Sequence, residues 1–520
     1  MYKQVDIRLL PEHAGNPDRI LRKLAQKTGI QEKKIKSYQI NRRSIDARGV
    51  QVMIQLRITI SDDQIESRKG YLMDNLKHVS GKPEVVIIGA GPAGYFAALE
   101  LIELGLRPVI FERGKKVRDR RRDLRAIQQE GIVHPHSNYC FGEGGAGTYS
   151  DGKLYTRAHK RGKIEKVLQW FVEHGASEDI LIDAHPHIGS NKLPMIVESM
   201  RGTIEKFGGE VRFNSHVNDF VIENEQMKGI SFNENEFYRA EQVILATGHS
   251  ARDIFTLLKE HRIDIEFKPF ALGVRIEHPQ SLIDEIQYRQ SPRSEYLPAS
   301  SYGLTCQIDK RGVFSFCMCP GGLVVPAATA PGEIVVNGMS LSKRDSPFAN
   351  AGTVVSIEAG DVGCDVIENP LAGVAFQSKV EKLMFGCGDG SQKAPAQRMT
   401  DFLLARISDD LPDTSYIPGV FPAPVNALLP HFIYKHLKEA IFQFDRKMHG
   451  YLTEEAIVIG TESRTSSPVR IPREKETMEH PKVKGLYPCG EGAGYAGGIV
   501  SAAMDGQRVA QAISVSINEQ

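Results

Sequence analysis

The sequence predicts an α/β protein built around a parallel sheet, because one stretch near residue 90 has the pattern of strand, tight turn, helix and second strand. Four apolar residues, Val85 to Ile88, precede three glycines spaced G-x-G-x-x-G, and a segment rich in Ala and Leu follows them. Such an apolar run is typical of a strand buried on both faces. Two further observations indicate that the chain has more than one domain. The 520 residues exceed one ordinary core, and residues 1 to about 80 precede this unit with a pattern of their own.

The glycine unit predicts a Rossmann-like dinucleotide site. Gly89 permits the turn from strand to helix, Gly91 lets the backbone approach a pyrophosphate, and Gly94 lets helix and strand pack closely. The helix N-terminus offers unpaired N–H groups and a positive dipole end to the phosphates. Glu112 ends the second strand, where an acid accepts hydrogen bonds from a ribose. A glycine-rich turn that binds nothing is the alternative.

The composition indicates the broad class of protein to which the chain belongs. Apolar residues make up 41% of the chain and charged residues 25%, as in soluble globular proteins. The net charge of +1 gives no general reason to bind nucleic acid or an anionic membrane. The N-terminus lacks the apolar core of a signal peptide, and no apolar run approaches the ~18 residues of a membrane span. Seven cysteines without framework spacing fit a reducing compartment, so we expect a cytoplasmic protein.

The N-terminal segment predicts a small α+β domain in β-α-β-β order. Lys3 to Leu9, Lys36 to Ile40 and Val50 to Ile60 alternate like strands, and Asp18 to Lys27 has helical spacing. The polar, basic stretch SYQINRRSIDAR within it is interpreted as a solvated strand and turn. A role in shaping the entrance of an active site is the alternative.

Seven Lys or Arg residues stand between Lys115 and Arg125, interrupted by two Asp. A solvated helix face, a clamp on cofactor phosphates and a nucleic-acid site are the three interpretations. Nucleic acid is not expected, because the run lacks interleaved aromatic residues.

The stretch FGEGGAGTYSDGKLYT, residues 141 to 156, predicts a loop that approaches a ligand closely. So many glycines cost folding entropy, which contact with a flat or anionic ligand would explain. Ser150, Asp151 and Lys153 add a hydroxyl, an acceptor and a cation; a flexible loop is the alternative. Further on, His185 and His187 lack Cys or carboxylate partners at ligand spacing, so we expect no metal site.

Later segments predict the rest of the fold. Val243 to Leu245 is a strand, broken by Ala246-Thr247-Gly248 where a cofactor edge can lie. Beyond Phe267 the helix–strand alternation loosens, which favours a mixed sheet bearing helices. Strands are expected in that part of the chain at Leu272 to Glu277, Tyr302 to Ile308, Val313 to Met318 and Gly332 to Met339.

Three motifs together resemble the glutathione-reductase-like FAD proteins. They are the G-x-G-x-x-G unit with Glu112, the strand ending in Ala246-Thr247-Gly248, and LYPCGEGAGYAGG from Leu486 to Gly498. More narrowly, the chain resembles uncharacterised bacterial FAD-dependent dehydrogenases over most of its length from residue 84. The stretches that carry this likeness are GAGTYSDGKLYTR, ALGVRIEHPQ, VFSFCMCPGG, VVNGMS, TESRTSSPVRIPR and CGEGAGYAGGIVSAAMDG.

The resemblance implies FAD as cofactor, with the last motif closing over the ribityl chain and pyrophosphate. Its acid is Glu491, where Asp is commoner in that fold. The expected cofactor-binding residues are Gly89, Gly91, Pro92, Ala93, Gly94, Glu112, Arg113, Gly144, Gly145, Ser150, Asp151, Gly152, Lys153, Ala246, Thr247, Gly248, Gly490, Glu491, Gly492, Gly498 and Ile499. The sequence holds no second strand–G-x-G-x-x-G–helix unit, so NAD(P)H is expected at most as a transient electron donor.

We therefore expect a Rossmann-like FAD/NAD(P)-binding domain in two segments, residues 81–266 and 455–520. An inserted mixed-sheet α+β substrate domain, residues 267–454, separates them, and the small N-terminal α+β domain, residues 1–80, precedes them.

Two stretches are candidates for catalysis. Cys317 and Cys319 lie on one face of a strand by its period of two, as a redox pair or as packed thiols, and the Pro-Gly-Gly after them can offer backbone N–H groups to a flavin. Arg464 and Arg470, in TESRTSSPVRIPR, are expected to bind a substrate carboxylate or phosphate. Arg275 and His278 are lesser candidates, for charge stabilisation and acid–base work.

The function expected is hydride transfer between a small anionic organic substrate and flavin N5. A flavin-dependent RNA-modifying enzyme is one alternative, because the run from Lys115 to Arg125 can contact phosphates. A flavoprotein scaffold or sensor without turnover, binding a partner through residues 1–80, is the other. No oligomeric state is predicted.

Overall fold

The computed structural model describes residues 2–65, 70–156 and 162–519, so Arg157, which ends one of the stretches quoted above, lies outside it. A five-stranded parallel sheet and a seven-stranded mixed sheet dominate the described residues, which confirms the predicted α/β class. No helix among them is both long and apolar enough to span a bilayer.

The N-terminal residues form an antiparallel sheet of three strands, in the order β1-β3-β2, with one helix packed on it. Its elements are β1 (Tyr2–Leu9), α1 (Pro17–Thr28), β2 (Ser37–Asp46) and β3 (Met53–Ser61). The predicted β-α-β-β order is confirmed, although β2 extends to Asp46 rather than ending near Ile40. Alternate side chains such as Ile7 and Leu56 pack against Leu24 of α1.

The next part of the chain supplies most of the parallel sheet and a three-stranded antiparallel sheet, β7-β8-β9. Its elements are β4 (Glu84–Ile88), α2 (Pro92–Leu104), β5 (Arg107–Phe111), α3 (Val117–Gln129), α4 (Ile164–Glu173), α5 (Leu193–Lys206), β6 (Glu210–Arg212), β7 (Val217–Glu223), β8 (Gln226–Phe232), β9 (Glu236–Arg239), β10 (Val243–Leu245) and α6 (Arg252–Glu260).

The chain then builds the mixed sheet, its helices and two small two-stranded sheets, β11-β21 and β15-β16. These elements are β11 (Glu266–Phe267), β12 (Phe270–Pro279), α7 (Gln280–Tyr288), β13 (Thr305–Ile308), β14 (Arg311–Cys319), β15 (Gly322–Pro326), β16 (Val336–Ser340), β17 (Phe348–Ile357), α8 (Ala372–Gly386), β18 (Ala394–Arg398), α9 (Met399–Leu404), β19 (Val420–Pro422), α10 (Val425–Leu428), α11 (His431–Lys447), β20 (Ile457–Glu462) and β21 (Val469–Arg470). The strand expected from Gly332 to Met339 is present, but the prediction was wrong about its first residue. Gly332 has φ of 80° in a turn, so β16 begins only at Val336.

Two last elements, β22 (Leu486–Pro488) and α12 (Ile499–Asn518), return the chain to the parallel sheet. Its strand order is β22-β10-β4-β5-β6, with every neighbouring pair parallel. Helix α12 packs along α2, and Gly506 allows this, since a Cβ there would stand 2.1 Å from the carbonyl oxygen of Ala93.

The mixed sheet has the order β13-β14-β17-β12-β20-β18-β19. Strand β20 pairs with both β12 and β18, and so belongs to this sheet. The domain division stays a prediction, but the pairing of β20 favours a boundary near residue 465 rather than at 455.

Candidate active site

The turn after β4 requires glycine at two positions. Gly89 has φ of 107°, and a Cβ there would lie 2.5 Å from the carbonyl oxygen of Ala246. A Cβ on Gly94 would lie 2.0 Å from the carbonyl oxygen of Gly89. Helix α2 therefore packs directly on the turn, as the spacing predicts.

Glu112 holds the turns around this site together. Its buried carboxylate accepts backbone N–H bonds from Ala90 at 2.9 Å, Gly114 at 2.9 Å and Gly142 at 3.0 Å. Two of these bonds fall on Oε1 and one on Oε2, which leaves Oε2 with further acceptor capacity. Binding of a ribose there stays a prediction, and the carboxylate is positioned for it.

The glycine loop after α3 is held by a buried arginine. Arg120 donates to the carbonyl oxygens of Asn138 at 2.8 Å, Tyr139 at 3.0 Å and Glu143 at 2.8 Å. Its guanidinium also stacks 5.0 Å from the ring centroid of Tyr149. One member of the basic run thus binds the loop backbone, and its guanidinium is occupied by carbonyl oxygens of the protein.

Other members of that run pair with acids of the protein. Lys115 bonds Asp123 at 2.8 Å, and Arg118 bonds Glu198 at 3.2 Å. These contacts favour the helix-face interpretation over a phosphate clamp.

A cavity of about 380 Å³ lies along the carboxyl ends of the parallel strands, where open α/β sheets bind ligands. The expected cofactor residues that line it are Gly89, Gly91, Pro92, Ala93, Glu112, Arg113, Gly145, Ser150, Asp151, Gly152, Lys153, Ala246, Thr247, Gly248, Glu491, Gly498 and Ile499.

The other four expected cofactor residues do not line this cavity but pack next to residues that do. Gly94 packs the helix onto the turn, and Gly144 lines a small adjoining cavity. Gly490 donates its N–H to Asp505 at 2.8 Å. A Cβ on Gly492 would lie 2.6 Å from the carbonyl oxygen of Gly248, so these two backbones are in contact.

The strand order places three of the expected cofactor-binding turns side by side. Glu112 follows β5, Gly89 follows the neighbouring β4, and Ala246 follows β10 on the far side of β4. Phe316 and Cys317 of the mixed sheet also line the cavity. One part of its wall is thus built by the dinucleotide motif and another by the mixed sheet.

Lys153 places a positive charge beside the part of the wall that the mixed sheet contributes. It approaches the carbonyl oxygen of Met318, and its Nζ lies 3.6 Å from Asp151 Oδ2. Asp151 also accepts a bond from Arg344 at 2.6 Å and another from Ser340. Burial works to raise the pKa of Asp151, but Lys153 and Arg344 outweigh it and lower that pKa to about 2. The cluster thus holds two cations and one carboxylate.

Cys317 and Cys319 lie beside Lys153. The pairing of β14 with β17 shifts register between Phe316 and Cys319, and Cys317 has φ of 45°. The expectation of regular alternation was therefore wrong at this point. Cys317 lines the cavity, whereas Cys319 is fully buried.

Arg275 lies beneath the two thiols and does not line the cavity. It is fully buried and donates to Glu462 at 2.7 Å, Asn350 at 2.8 Å and the carbonyl oxygen of Cys317 at 2.9 Å. One of its N–H groups also lies 3.6 Å from Cys319 Sγ. It can act on the site only through those partners.

The expectation that Arg464 binds a substrate anion is not supported. Although it lines the cavity, its guanidinium donates to Glu333 at 2.8 Å and to both carboxylate oxygens of Glu381 at 3.2 Å. Its remaining terminal nitrogen bonds Thr329. A guanidinium committed to two buried carboxylates has no charge left over for a ligand.

Arg470 and His278, unlike Arg464, do not line the cavity. Arg470 is exposed, with its guanidinium carbon 4.9 Å from the ring centroid of Tyr495. His278 is buried on β12, where Nε2 lies 2.8 Å from the carbonyl oxygen of Tyr451 and burial lowers its pKa to about 4. Neither is placed for the role predicted for it. The turn Pro320-Gly321-Gly322 was expected to offer backbone N–H groups to a flavin. The N–H of Gly321 instead donates to the side-chain oxygen of Gln280 at 2.6 Å.

Asn337 and Arg344 are among the residues of the site that sequence reasoning missed. Asn337 lines the cavity from β16 and lies in VVNGMS, a stretch that carried the family resemblance, so that likeness was its signal. Arg344, which bonds Asp151, follows β16 in a polar loop, and nothing in its pattern sets it apart. Among the described residues no group of three or more His, Cys, Asp or Glu is placed to hold a metal ion.

Two segments of the chain match models of known protein families. Residues 269–465 match the family model described as FAD-dependent protein, C-terminal domain-like, and residues 1–61 match a domain of unknown function. A protein of Clostridium beijerinckii, described as an uncharacterized protein, is 39% identical over 513 residues, which are 95% of each chain. The chain belongs to this family of FAD-dependent proteins.

Solved flavoproteins show weaker likeness to this FAD-dependent protein. Glycine oxidase from Bacillus cereus has 14% identity and a TM-score of 0.30, with 84% of this chain and 96% of that one covered. L-proline dehydrogenase from P. horikoshii has 12% identity and a TM-score of 0.34, with 84% and 94% covered. The flavin-dependent brominase Bmp2 has 15% identity and a TM-score of 0.35, with 84% and 79% covered.

The cavity of this FAD-dependent protein fits the cofactor. At Gly248, Gly497 and Gly498, which line it, no heavy atom lies within 4 Å of where a Cβ would stand, so ligand atoms can approach the main chain. Pro92 and Ile499, which line it too, begin α2 and α12, so the positive ends of two helix dipoles meet there. Open backbone and two helix N-termini suit a diphosphate.

Proposed function

We propose that this FAD-dependent protein is an oxidoreductase that transfers a hydride between a small anionic organic substrate and flavin N5. The cofactor supplies the hydride acceptor. The protein's part is to hold the substrate against the flavin and to balance its charge.

The position of Lys153 is the observation that supports an anionic substrate. Lys153 lines the cavity, and its ammonium contacts the carbonyl oxygen of Met318, next in the chain to the cavity-lining Cys317. With Arg344 and the buried Arg275 it makes three cations. Asp151, charge on Cys317 and Glu462 oppose them, and burial raises the pKa of Glu462 to about 7, so this carboxyl carries only part of a charge at neutral pH. Burial alone would lower the pKa of Lys153, but charge on Cys317 and Asp151 raises it, so the ammonium stays protonated at neutral pH. Lys153 therefore replaces Arg464 and Arg470 as the proposed partner of the substrate anion.

Anaerobic flavin reduction tests this function. The purified protein, with flavin bands near ~450 nm, is titrated with NADH, NADPH and then a panel of small hydroxy and amino acids. We expect at least one anionic donor to bleach the bands. Bands that persist with every donor would contradict the proposal.

The role of Lys153 is tested with Lys153→Met and a matched control. A charge-assisted hydrogen bond contributes about 1.5–3 kcal/mol, so the concentration for half-maximal bleaching should rise on the order of tenfold or more while FAD stays bound. Lys343→Met removes an exposed ammonium next to Arg344 in sequence and should leave that concentration unchanged. Equal titrations of Lys153→Met and wild type would remove Lys153 from this role.

A further inference from the structure

The N-terminal sheet is joined to a segment of backbone next to the active site. This segment, residues 182–191, precedes α5 and is called the strap. The N–H of Arg43 in β2 donates to the carbonyl oxygen of Ile182 at 2.7 Å, and the N–H of Ala184 donates to that of Arg43 at 2.9 Å. Arg43 and Asp183 thus form a short parallel bridge. Since β2 is an edge strand of its sheet, the strap continues that sheet by one bridge.

The side chain of Arg43 strengthens this junction. Its Nε and one terminal nitrogen donate to the two carboxylate oxygens of Asp183, at 2.7 and 3.1 Å. The same terminal nitrogen donates to Asp179, just before the strap, at 3.0 Å. The bonds to Asp183 have the bidentate geometry that makes an arginine–carboxylate pair both stronger and more directional. Arg43 therefore binds the strap through its main chain and its side chain.

The strap binds the glycine loop on its other side. The N–H of Leu154 donates to the carbonyl oxygen of Pro186 at 2.9 Å. The N–H of Ile188 donates to that of Gly152 at 3.1 Å. These two bonds flank Lys153, which lines the cavity. A displacement of the strap would therefore act on the backbone on both sides of Lys153.

The strap also binds the loop after β16. The N–H of Ser190 donates to the carbonyl oxygen of Ser340 at 3.0 Å, and the N–H of Ser342 donates to the side-chain oxygen of Asn191 at 2.8 Å. Arg344, a second cation of the site, lies two residues further on. The strap has no helix or extended strand of its own, so its position is set by these bonds to other segments.

The N-terminal sheet is a fixed support for the strap because it is anchored elsewhere. Tyr288, the last residue of α7, and Leu297 belong to the same buried apolar core as Leu56 of β3. Arg289 also donates to the carbonyl oxygen of Gly49 at 3.3 Å. Loss of the Arg43 contacts should therefore release the strap and leave the sheet in place.

We propose that Arg43 is a positioning residue of the active site, which holds Lys153 in place through the strap. The N-terminal sheet thereby takes part in binding the substrate anion without touching it. The inference rests on the proposed function for what Lys153 binds. The mechanical coupling between Arg43 and Lys153 does not depend on that function.

Hydrogen exchange of the FAD-loaded protein tests the coupling without any substrate. Arg43→Asp places a third carboxylate beside Asp179 and Asp183, so the strap should open more often. We expect exchange at the amides of Leu154 and Ile188 to rise on the order of tenfold, while the amides of β4 keep their rates. Unchanged rates at these two amides, or an equal rise throughout the chain, would overturn the coupling.

The matched control is Arg57→Asp on β3. Arg57 forms a similar two-bond pair with Asp6, at 2.9 and 3.3 Å, but it lies one strand farther from the strap. The same change of charge on the same sheet should leave exchange at Leu154 and Ile188 as in wild type. Equal acceleration by Arg57→Asp and Arg43→Asp would assign the effect to the sheet as a whole and refute a specific role of Arg43.

A charge swap tests whether the ion pair itself is responsible. Arg43→Asp combined with Asp183→Arg restores opposite charges across the junction, so both exchange rates should return to within about threefold of wild type. The swap also shows that the single variant had kept its fold. Exchange in the double variant as fast as in Arg43→Asp alone would count against the clamp.

The donor titration tests whether Arg43 acts on the substrate through Lys153. Arg43→Ala should raise the concentration for half-maximal bleaching on the order of fivefold, with the Kd for FAD unchanged. In the Lys153→Met background the same substitution should have no further effect, whereas a general loss of stability would act in both backgrounds. Equal effects in the two backgrounds would overturn the proposal. Hydrogen exchange needs no donor, so failure of every donor to bleach the flavin contradicts the proposed function alone.

Discussion

Burial decides what each arginine of this protein can do. Arg464 and Arg470 are six residues apart in one polar stretch, and both have the side chain suited to a planar anion. Arg464 faces Glu333 and Glu381 in the interior, whereas Arg470 lies at the surface beside Tyr495. The anion that Arg464 binds is therefore part of the protein.

Replacing Arg464 should lower stability before it affects substrate. Arg464→Ala leaves buried carboxylates with one cation fewer, and removing one partner of a buried pair costs about 3–5 kcal/mol. Arg470→Ala, the matched control, should change the free energy of unfolding by no more than about 1 kcal/mol, because the side chain is exposed. Urea unfolding measures both. Similar unfolding midpoints for the two variants would show that the buried pairs carry little stability.

The cofactor site depends on how two helices meet. Helix α2 begins at the glycine turn, and α12 begins where the last motif ends, so their N-termini converge only if the helices lie close together. Gly506 sets that distance, since a Cβ would lie 2.1 Å from the carbonyl oxygen of Ala93 and 3.1 Å from the N of Ala97. The contact is backbone against backbone and cannot relax by side-chain rotation.

Gly506→Ala should therefore weaken both packing and cofactor retention. Overpacking of this kind costs about 1–3 kcal/mol, and separation of the N-termini should raise the Kd for FAD. The control is Gly202→Ala in α5, where no heavy atom lies within 4 Å of the position that the new methyl group would take and a helical Gly-to-Ala change gains about 1 kcal/mol. Thermal unfolding and FAD titration of the stripped protein measure the two effects. Stabilisation by both substitutions would refute the close helix contact.

Across the whole molecule, sequence reasoning found what local pattern determines and missed what long-range packing determines. The glycine spacing and the acid at Glu112 are local, and the structure places them around one cavity as expected. The partners of Arg464 come from positions 333 and 381, more than eighty residues away, and no period or motif connects them. The register shift that turns Cys317 toward the cavity likewise depends on β17, which the sequence of β14 does not contain.

The two large sheets are tied by one buried charge network. Arg252 begins α6, directly after the loop that follows β10, and donates to Glu381 at 2.8 and 2.9 Å and to Glu333 at 3.3 Å. Arg464 completes it from beyond β20. Two arginines balance two carboxylates, and burial together with Glu381 raises the pKa of Glu333. Glu333 is therefore the member of the network that loses its charge most readily.

Charge balance across this network predicts a rescue. Arg252→Ala leaves one cation against two carboxylates, Glu333→Gln leaves two cations against one, and the double variant restores one of each. The double variant should be more stable than the sum of the single effects by about 0.5–3 kcal/mol, measured as a double-mutant cycle of urea unfolding. The pair of Arg239 and Glu241, both exposed, is the control and should couple by no more than about 1 kcal/mol. Additive effects of Arg252→Ala and Glu333→Gln would mean that the sheets are joined by apolar packing, with the charges contributing separately.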